Sequence, residues 1–355
     1  MAQLAALLKK KGYNITGSDK EFYHPALSIL KEAEINNLSS FKKENITKDI
    51  ALAVIGNSQS YTNCEVQEIE SLNIPYTCFP KLLYELIIKK RRSVVVSGTH
   101  GKTTTTALTA WCFKTAGFNP SYFIGGKVTQ LNPSLFQGEK YSVVEGDEYD
   151  SAFFAKIPKF TFYSPDILII TNIDFDHADI YRSLEEIEEQ FSRLVSSVPN
   201  HGFIIACIDN PTVRKNLATW QRKTKATIIT YGKSELADYR LLLRETKNNK
   251  EKVEILTPSG KDTYLLGITG EHNALNSTAV YAVFKEEGLP IDALKEGLKT
   301  FKGVKRRQEI VYQNQTVLID DFAHHPKEVL ATVKSIRDKY PEKRVIAVFE
   351  PRSNT

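Results

Sequence analysis

The sequence predicts an α/β protein built from more than one folded unit, and three observations support that prediction. Helical patterns alternate with short apolar strands along most of the chain. Continuous β-branched runs such as Val94–Ser97 are typical of strands buried on both faces of a parallel sheet. The chain has 355 residues, 41% of them hydrophobic and 25% charged, which is enough for two or three hydrophobic cores.

Residues 1–90 predict a small parallel α/β unit of alternating helices and strands. The predicted helices are Ala2–Lys11, Ala26–Ala33, Glu65–Leu72 and Leu82–Lys90. One predicted strand ends at Thr16, and the other two cover Ala51–Ile55 and Tyr76–Phe79. Doubly wound units usually begin with a strand and a glycine-rich turn, whereas this chain begins on a helix. We therefore expect the first strand of this unit to be missing.

Two further α/β units are expected over residues 91–303 and 304–355. The second unit has predicted strands at Val94–Ser97, Tyr141–Glu145, Asp166–Thr171 and Phe203–Cys207, an antiparallel excursion over Tyr239–Leu266, and helices at Thr103–Ala116, Asn273–Glu287 and Ile291–Thr300. The third has predicted strands at Glu309–Tyr312, Thr316–Ile319 and Arg344–Phe349 and a helix at Pro326–Tyr340. It reaches Thr355 before a sheet is complete, so we expect it to be truncated.

The segment Gly98–Thr104 is the strongest functional motif of the chain. It follows a buried strand, opens a helix, and combines two glycines with Lys102 and several hydroxyls. Backbone N–H groups and the positive end of a helix attract phosphate, a lysine neutralises its charge, and Thr103 could hold magnesium. Only Thr99 and His100 separate the glycines, fewer residues than in the common P-loop. The alternative is a glycine-rich turn with an exposed lysine.

Acidic and amide side chains follow the next two predicted strands. The run Glu145–Asp150 comes directly after one strand, and Asn172–Asp179 comes after the next. Because open parallel sheets bind ligands at the C-terminal edge of their strands, these groups could serve Mg²⁺ or position a phosphate. Asp176 or His177 could also take a proton from an amine. The alternatives are a solvated acidic loop for the first run, and helix capping with a surface histidine for the second.

Three later motifs could contact the rest of a nucleotide. Asn273 and Asn276 lie three residues apart in a predicted helix and could recognise a base edge, or could cap that helix. Lys305–Arg307 offers cationic charge for phosphate, and Asp320–Pro326 offers acceptors for a ribose. A metal site in Asp320–Pro326 is disfavoured, because adjacent histidines tend to point apart in a loop.

Charge and cysteine content set expectations about location and partners. The net charge of +5 is spread along the chain, and the compact basic run Lys89–Arg92 is favoured as a solvated linker over a nucleic-acid patch. Four scattered cysteines without metal-ligand spacing predict reduced thiols. No apolar run is long enough to span a membrane and no leader pattern is present, so we expect a cytoplasmic protein without nucleic-acid or membrane partners.

In this order, the motifs resemble those of the Mur ligase family, ATP-dependent enzymes that add amino acids or peptides to UDP-N-acetylmuramate in peptidoglycan synthesis. The residues that carry the resemblance are Gly98–Thr103, Glu145, Asp176–His177, His272–Asn273, Asn276, Arg307 and Asp321. The resemblance covers nearly the whole chain and implies the three-domain Mur ligase architecture. Its parts would be a Rossmann-like UDP-sugar-binding domain over 1–90, a central P-loop-type ATP-binding α/β domain over 91–303, and an incomplete α/β C-terminal domain over 304–355.

The resemblance also implies a role for each matching residue, with ATP and Mg²⁺ as cofactors. Catalytic roles would fall to Lys102, Glu145, His177 and Arg307, and magnesium would be held by Thr103, Glu145 and His177. The nucleotide would contact Gly98, Thr99, His100, Gly101, Lys102, Thr103, Thr104, Asn273, Asn276, Arg307 and Asp321. The substrate would contact Asp19, Gly56, Asn57, Ser58 and Arg352. A histidine is an unusual ligand for a hard ion, so the metal role of His177 depends on the resemblance alone.

Two kinds of family member accept UDP-N-acetylmuramate itself. One adds L-alanine, and the other attaches the tripeptide L-alanyl-γ-D-glutamyl-meso-diaminopimelate during peptidoglycan recycling. The segments that resemble the second kind are Glu148–Phe154, Phe175–Asp179, Asp321–Pro326 and Phe349–Asn354. The L-alanine ligase and a non-catalytic nucleotide-binding protein are the alternatives, whereas the short glycine spacing disfavours an ordinary P-loop kinase or GTPase.

Three departures from the family pattern add further expectations. Residues 183–198 contain no lysine, so the carbamoylated lysine of several family members is not expected here. The family's glycine-rich uridine-nucleotide loop is absent before Met1, and segments that help bind the amine substrate are absent after Thr355. We therefore expect the 355-residue chain alone to bind ATP weakly and to ligate poorly or not at all.

Overall fold

The computed structural model describes residues 1–176, 179–247 and 250–350. The elements of the first unit are α1 (Ala2–Lys10), β1 (Gly17–Ser18), α2 (Ala26–Glu32), β2 (Leu38–Ser39), β3 (Ala53–Ile55), α3 (Cys64–Ser71), β4 (Tyr76–Cys78) and α4 (Phe79–Leu83). A π-helical turn over Tyr84–Ile88 continues α4. The helices lie close to their predicted positions, but β1 begins after Thr16, so the strand predicted to end there is wrong.

The strands of the first unit pair in parallel, as predicted, but within the described residues they form two separate pairs. Strand β1 pairs with β2, and β3 pairs with β4. A small apolar cluster packs the second pair against α3, and its buried members are Ile55, Val66, Ile69 and Ile74. The Ser18 hydroxyl donates a hydrogen bond to the Glu65 carboxylate of α3. A side-chain contact therefore connects the first pair to the helix that covers the second.

A ten-stranded sheet forms the centre of the second unit. Its strands are β5 (Arg92–Ser97), β6 (Ser121–Phe123), β7 (Leu135–Phe136), β8 (Tyr141–Gly146), β11 (Ile167–Ile170), β12 (Phe203–Cys207), β13 (Thr227–Gly232), β14 (Tyr239–Lys247), β15 (Lys250–Thr257) and β16 (Gly260–Leu266). The short strands β9 (Asp150–Ala152) and β10 (Ala155–Pro158) form a separate antiparallel pair. The helices are α5 (Lys102–Thr115), α6 (Leu184–Ser196), α7 (Pro211–Lys223), α8 (Glu271–Glu286) and α9 (Ile291–Thr300).

The strand order places the predicted functional loops side by side. Along the sheet the order is β16, β15, β14, β13, β12, β11, β5, β8, β6, β7. Strand β5 lies between β11 and β8 and is parallel to both, so the loops that follow these three strands share one edge. Strands β14, β15 and β16 are antiparallel, which confirms the predicted excursion.

Alternate residues of β5 pack into different cores on the two faces of the sheet. Val94 and Val96 belong to a core that includes residues of α5, α8 and α9. Val95 belongs to a second core that includes residues of α6 and α7, and Leu4 of the first unit also packs there. Because both faces are covered, the strand that leads into Gly98–Thr104 is held rigidly from each side.

The basic run Lys89–Arg92 makes contacts within the chain, so the prediction of a solvated linker is wrong for its arginines. The Arg92 guanidinium lies 3.0 Å from the Glu287 carboxylate at the end of α8. Arg91 donates to the carbonyl oxygen of Gly138 at 2.9 Å, and the Lys89 ammonium pairs with Glu85 at 2.8 Å. The start of β5 is therefore fixed to the end of α8.

The third unit consists, in its described part, of an antiparallel hairpin and one helix. These elements are β17 (Glu309–Gln313), β18 (Val317–Asp320) and α10 (Pro326–Lys339). The strand predicted over Arg344–Phe349 is wrong, because that segment forms no strand pairing in the structure. Its apolar side chains Ile346 and Val348 are 72% and 97% exposed. The β-branched residues of this segment therefore do not pack against a sheet, and packing of that kind is what stabilises a strand.

Two expectations from composition can be compared with the fold. None of the helices in the described ranges is both long and apolar enough to cross a membrane. All four cysteines lie in described residues and are free, and three of them, Cys78, Cys112 and Cys207, are buried. The domain boundaries at residues 90 and 303 stay predictions.

Candidate active site

The loop between β5 and α5 requires glycine at two positions. Gly98 and Gly101 have φ values of +136° and +82°, which side chains rarely adopt. A Cβ atom on Gly98 would lie 2.1 Å from the Thr171 hydroxyl, and one on Gly101 would lie 3.2 Å from the Asn276 carboxamide oxygen. The glycines therefore serve both the backbone turn and the close approach of neighbouring elements.

The residues that follow β11 hold this loop in place. The Asn172 carboxamide accepts from the His100 N–H at 2.8 Å and donates to the His100 carbonyl at 3.0 Å. The Thr171 hydroxyl donates to the same carbonyl at 2.6 Å. Asp174 N–H donates to the Thr99 hydroxyl at 2.8 Å. Side-chain and backbone hydrogen bonds of the protein itself thus fix the shape of the loop, as an anion-binding loop requires. The sequence placed Asn172 at this edge of the sheet, but sequence reasoning did not assign it this role, because one asparagine after a strand does not indicate which loop it binds.

Lys102 forms a buried ion pair with Glu148. Its ammonium lies 2.8 Å and 3.0 Å from the two carboxylate oxygens, and it donates to the Gly98 carbonyl at 2.6 Å. Glu148 is only 2% exposed. Burial favours a neutral lysine, but the charge of Glu148 and the neighbouring acidic side chains raise the pKa of Lys102, so it carries its positive charge. The sequence showed Glu148 only as one member of an acidic run and missed this pairing.

Thr103 and Glu145 present oxygen atoms next to each other. The Thr103 hydroxyl donates to the Glu145 carboxylate at 3.1 Å, and the Gly125 N–H donates to its other oxygen at 2.5 Å. Burial raises the pKa of Glu145. A hydroxyl and a carboxylate beside a phosphate loop suit Mg²⁺, which takes oxygen ligands and fills its remaining positions with phosphate and water. His177 lies outside the described residues, within which no cluster of three His, Cys, Asp or Glu side chains could hold a metal.

Helix α8 brings Asn276 against the phosphate loop, next to Gly101. Asn276 and Asn273 are 6% and 7% exposed. The Asn273 carboxamide donates to the Thr269 carbonyl at 2.8 Å, and the N-cap position is occupied by Gly270. The alternative of an asparagine N-cap is therefore wrong, although Asn273 does contact the backbone at the start of the helix.

The third unit places Arg307 and Asp321 near the same edge through helix α10. The Arg307 guanidinium lies 3.7 Å from the Glu328 carboxylate, which in turn lies 3.3 Å from the His100 ring. Asp321 accepts the Gln308 and Ala323 N–H groups at 2.8 Å and 2.7 Å. These bonds shape the turn that carries Arg307, and burial raises the pKa of Asp321.

A separate cleft of about 440 Å³ lies in the first unit. Its lining residues are Asp19, Lys20, Phe41, Ser58, Gln59, Ser60, Thr62, Asn63 and Cys64. The structure thus brings the predicted substrate contacts Asp19 and Ser58 together across two loops. Gly56 and Asn57 precede the lining loop but do not line the cleft as described. Arg352 lies outside the described residues.

A phosphate-type loop on a central parallel strand, with carboxylates at the next strand end, is the arrangement of α/β enzymes that handle nucleotide phosphates. Family models match most of the chain: the Mur ligase family catalytic domain over 1–91, the Mur ligase middle domain over 96–284, and the Mur ligase glutamate ligase domain over 306–355. The chain belongs to the Mur ligase family, whose members are ATP-dependent amide ligases, and it has their three-domain α/β fold.

Three relatives illustrate the similarity. The UDP-N-acetylmuramate–L-alanyl-γ-D-glutamyl-meso-2,6-diaminoheptandioate ligase of Haemophilus influenzae is 32% identical, over 100% of this chain and 78% of that protein. The UDP-N-acetylmuramate–L-alanine ligase of Carboxydothermus hydrogenoformans is 34% identical, over 100% of this chain and 74% of that protein. The crystal structure of a murein peptide ligase from Psychrobacter arcticus matches with a TM-score of 0.80 and 29% identity, over 100% of this chain and 77% of that one.

Proposed function

We propose that this protein joins UDP-N-acetylmuramate to the tripeptide L-alanyl-γ-D-glutamyl-meso-diaminopimelate in peptidoglycan recycling, with ATP and Mg²⁺. We call the loop Gly98–Thr104, with Glu145, Glu148 and Asn172, the phosphate cradle. The observation that carries the proposal is the convergence of Lys102, Thr103 and Glu145 in this cradle. The tripeptide ligase of Haemophilus influenzae is similar to this chain over its whole length, and this similarity supports the tripeptide as the amine substrate. A cytoplasmic location and the absence of nucleic-acid or membrane partners stay predictions.

The chemistry explains why such an enzyme needs a phosphate cradle. A carboxylate resists attack by an amine because it is anionic and has no good leaving group. Phosphoryl transfer from ATP converts it to an acyl phosphate and releases ADP. The neutral amine then attacks the acyl carbon, and inorganic phosphate leaves as the amide forms. Asp176, in the loop that follows β11, or His177 would accept the amine proton.

The residues of the cradle would assist this reaction by placing positive charge and Mg²⁺ ligands around the phosphates of ATP. Lys102 would exchange part of its contact with Glu148 for the terminal phosphates of ATP, and Arg307 would approach the γ-phosphate from the third unit. Thr103 and Glu145 would hold Mg²⁺, with His177 as a further ligand by resemblance, and the bound ion would neutralise phosphate charge. Asn273 and Asn276 would contact the adenine side, and Asp321 the ribose.

The cleft of the first unit would bind the uridine nucleotide. Asp19 and Ser58 line it and can accept or donate hydrogen bonds to a sugar or base. Gly56, Asn57 and Arg352 stay predicted substrate contacts that the described cleft does not include.

The alternative amine substrate is L-alanine. It is favoured by the 34% identity to the L-alanine ligase of Carboxydothermus hydrogenoformans, which is similar over an equal share of this chain. The same cradle serves either reaction, because both proceed from UDP-N-acetylmuramate and ATP.

One assay separates the candidates. Full-length protein is incubated with UDP-N-acetylmuramate, ATP and Mg²⁺, and phosphate release is measured with the tripeptide, with L-alanine, and with neither amine. Tripeptide-dependent release supports the proposal, whereas alanine-dependent release replaces it with the alternative. Nucleotide binding without release under any condition would instead indicate a non-catalytic binding protein.

A further inference from the structure

The first turn of α10 places Glu328 between two groups that belong to different units. Its Oε1 atom lies 3.3 Å from Nδ1 of His100 in the phosphate loop and 3.7 Å from Nη1 of Arg307. The centroid of the His325 ring, in the same unit as Arg307, lies 4.5 Å from that of the His100 ring. One carboxylate therefore touches both the loop and the third-unit arginine.

The Glu328 carboxylate is mostly buried, with its side chain 15% exposed. Burial would raise its pKa, but the hydrogen bond from His100 and the electrostatic interactions with His100, Arg307 and His324 outweigh burial and lower the pKa to about 2. Glu328 is therefore ionised at neutral pH and attracts the Arg307 guanidinium.

We propose that Glu328 is a positioning residue that aligns Arg307 with the terminal phosphate of ATP and fixes His100 within the phosphate loop. This inference rests on the proposed function, from which it takes the phosphate contact of Arg307. A guanidinium on a flexible side chain is effective only if it is held at the position where phosphate charge develops. The Glu328 carboxylate belongs to the same unit as Arg307 and holds its guanidinium in place. Its contact with His100 fixes the position of the guanidinium relative to the phosphate loop.

A merely structural role would consist in docking α10 onto the second unit, and the chain offers a control for that role. Asp338, near the other end of α10, pairs with Arg244 of β14. This pair also joins α10 to the second unit, but it lies ten residues from Glu328 along the helix. Asp338→Asn weakens docking without touching His100 or Arg307.

The test measures ATP and ADP affinity in the presence of Mg²⁺ by isothermal titration, with the full-length protein and its variants. The variants are Glu328→Gln, Arg307→Ala, the double variant and Asp338→Asn. We expect each of the first two to weaken ATP about tenfold and ADP less than about twofold, because only ATP carries the terminal phosphate. The double variant should match Arg307→Ala, and Asp338→Asn should leave the ATP-to-ADP affinity ratio unchanged.

Three results would overturn the inference: an unchanged ratio in Glu328→Gln, independent losses that multiply in the double variant, or an equal change in Asp338→Asn. If Glu328→Gln does not fold, Glu328→Asp decides, since the shorter side chain keeps the charge but not the reach. The proposed function fails separately, if wild-type protein binds ATP but releases no phosphate with either amine. The affinity ratios still decide the role of Glu328 in that case.

Discussion

The phosphate cradle and the first-unit cleft are built in different ways. Bonds in the cradle connect distant residues, such as Lys102 to Glu148 and His100 to Asn172. Bonds in the cleft loop are local: the Ser60 hydroxyl lies 2.7 Å from that of Thr62, and Asn63 donates to Gln59 at 2.8 Å. The cradle is therefore fixed by the packed sheet, whereas the cleft loop is shaped by its own short sequence and can adjust to a ligand.

Loss of the Lys102 charge should impair both catalysis and folding. Lys102→Met should lower ATP-dependent phosphate release about a thousandfold, because the charge facing the phosphates is lost. It should also lower the free energy of unfolding by about 3 kcal/mol, since the buried Glu148 charge loses this counter-ion. Both are measured on the same protein, by coupled phosphate assay and by urea unfolding.

The matched control for that experiment is the double variant Lys102→Met/Glu148→Gln. It removes both charges, so we expect it to regain most of the lost stability and none of the activity. Recovery of activity in the double variant would show that Lys102 acts only through folding.

His272, in the first turn of α8, should make the stability of the protein depend on pH. Burial lowers the pKa of His272 to about 4, and its ring nitrogen lies 3.4 Å from the Gln308 carboxamide. The unfolded chain binds a proton near pH 6.5 and the folded protein only near pH 4, so stability falls as pH drops through that window. We expect His272 to account for about 3 kcal/mol of that fall.

Urea unfolding at several pH values between 7.5 and 4 checks this expectation, with His272→Gln as the comparison. The variant should show a shallower loss of stability below pH 6.5 than the wild type. Parallel stability curves for the two proteins would contradict the assigned pKa.

Loss of the Asp19 charge in the cleft should weaken only the binding of the sugar nucleotide. Asp19→Asn should raise the KM for UDP-N-acetylmuramate about tenfold and leave kcat and the affinity for ATP nearly unchanged. Steady-state kinetics with each substrate varied in turn measures both. Asp49→Asn is the control, because Asp49 is an exposed aspartate of the same unit that does not line the described cleft. A fall in kcat for Asp19→Asn would show that the cleft and the cradle are coupled.

The sequence predicted which residues of the cradle lie at one edge of the sheet, because their placement follows from local rules. A strand, a glycine turn and a helix are adjacent in the chain, and parallel strands bring Glu145 and Asn172 to the same edge. The pairs Lys102–Glu148 and His100–Glu328 were not predictable, because they join residues from different elements and no periodicity encodes them. The strand expected at Arg344–Phe349 failed for a related reason: a β-branched segment becomes a strand only beside a partner.

The contact between Arg92 and Glu287 has a mechanical consequence. It ties the start of β5 to the end of α8, while Asn276 packs on Gly101 near the opposite ends of the same two elements. Contacts at opposite ends therefore join this strand and this helix. We expect the distance between Gly101 and Asn276 to change little when a ligand binds, because neither end of the helix can shift without breaking one of these contacts.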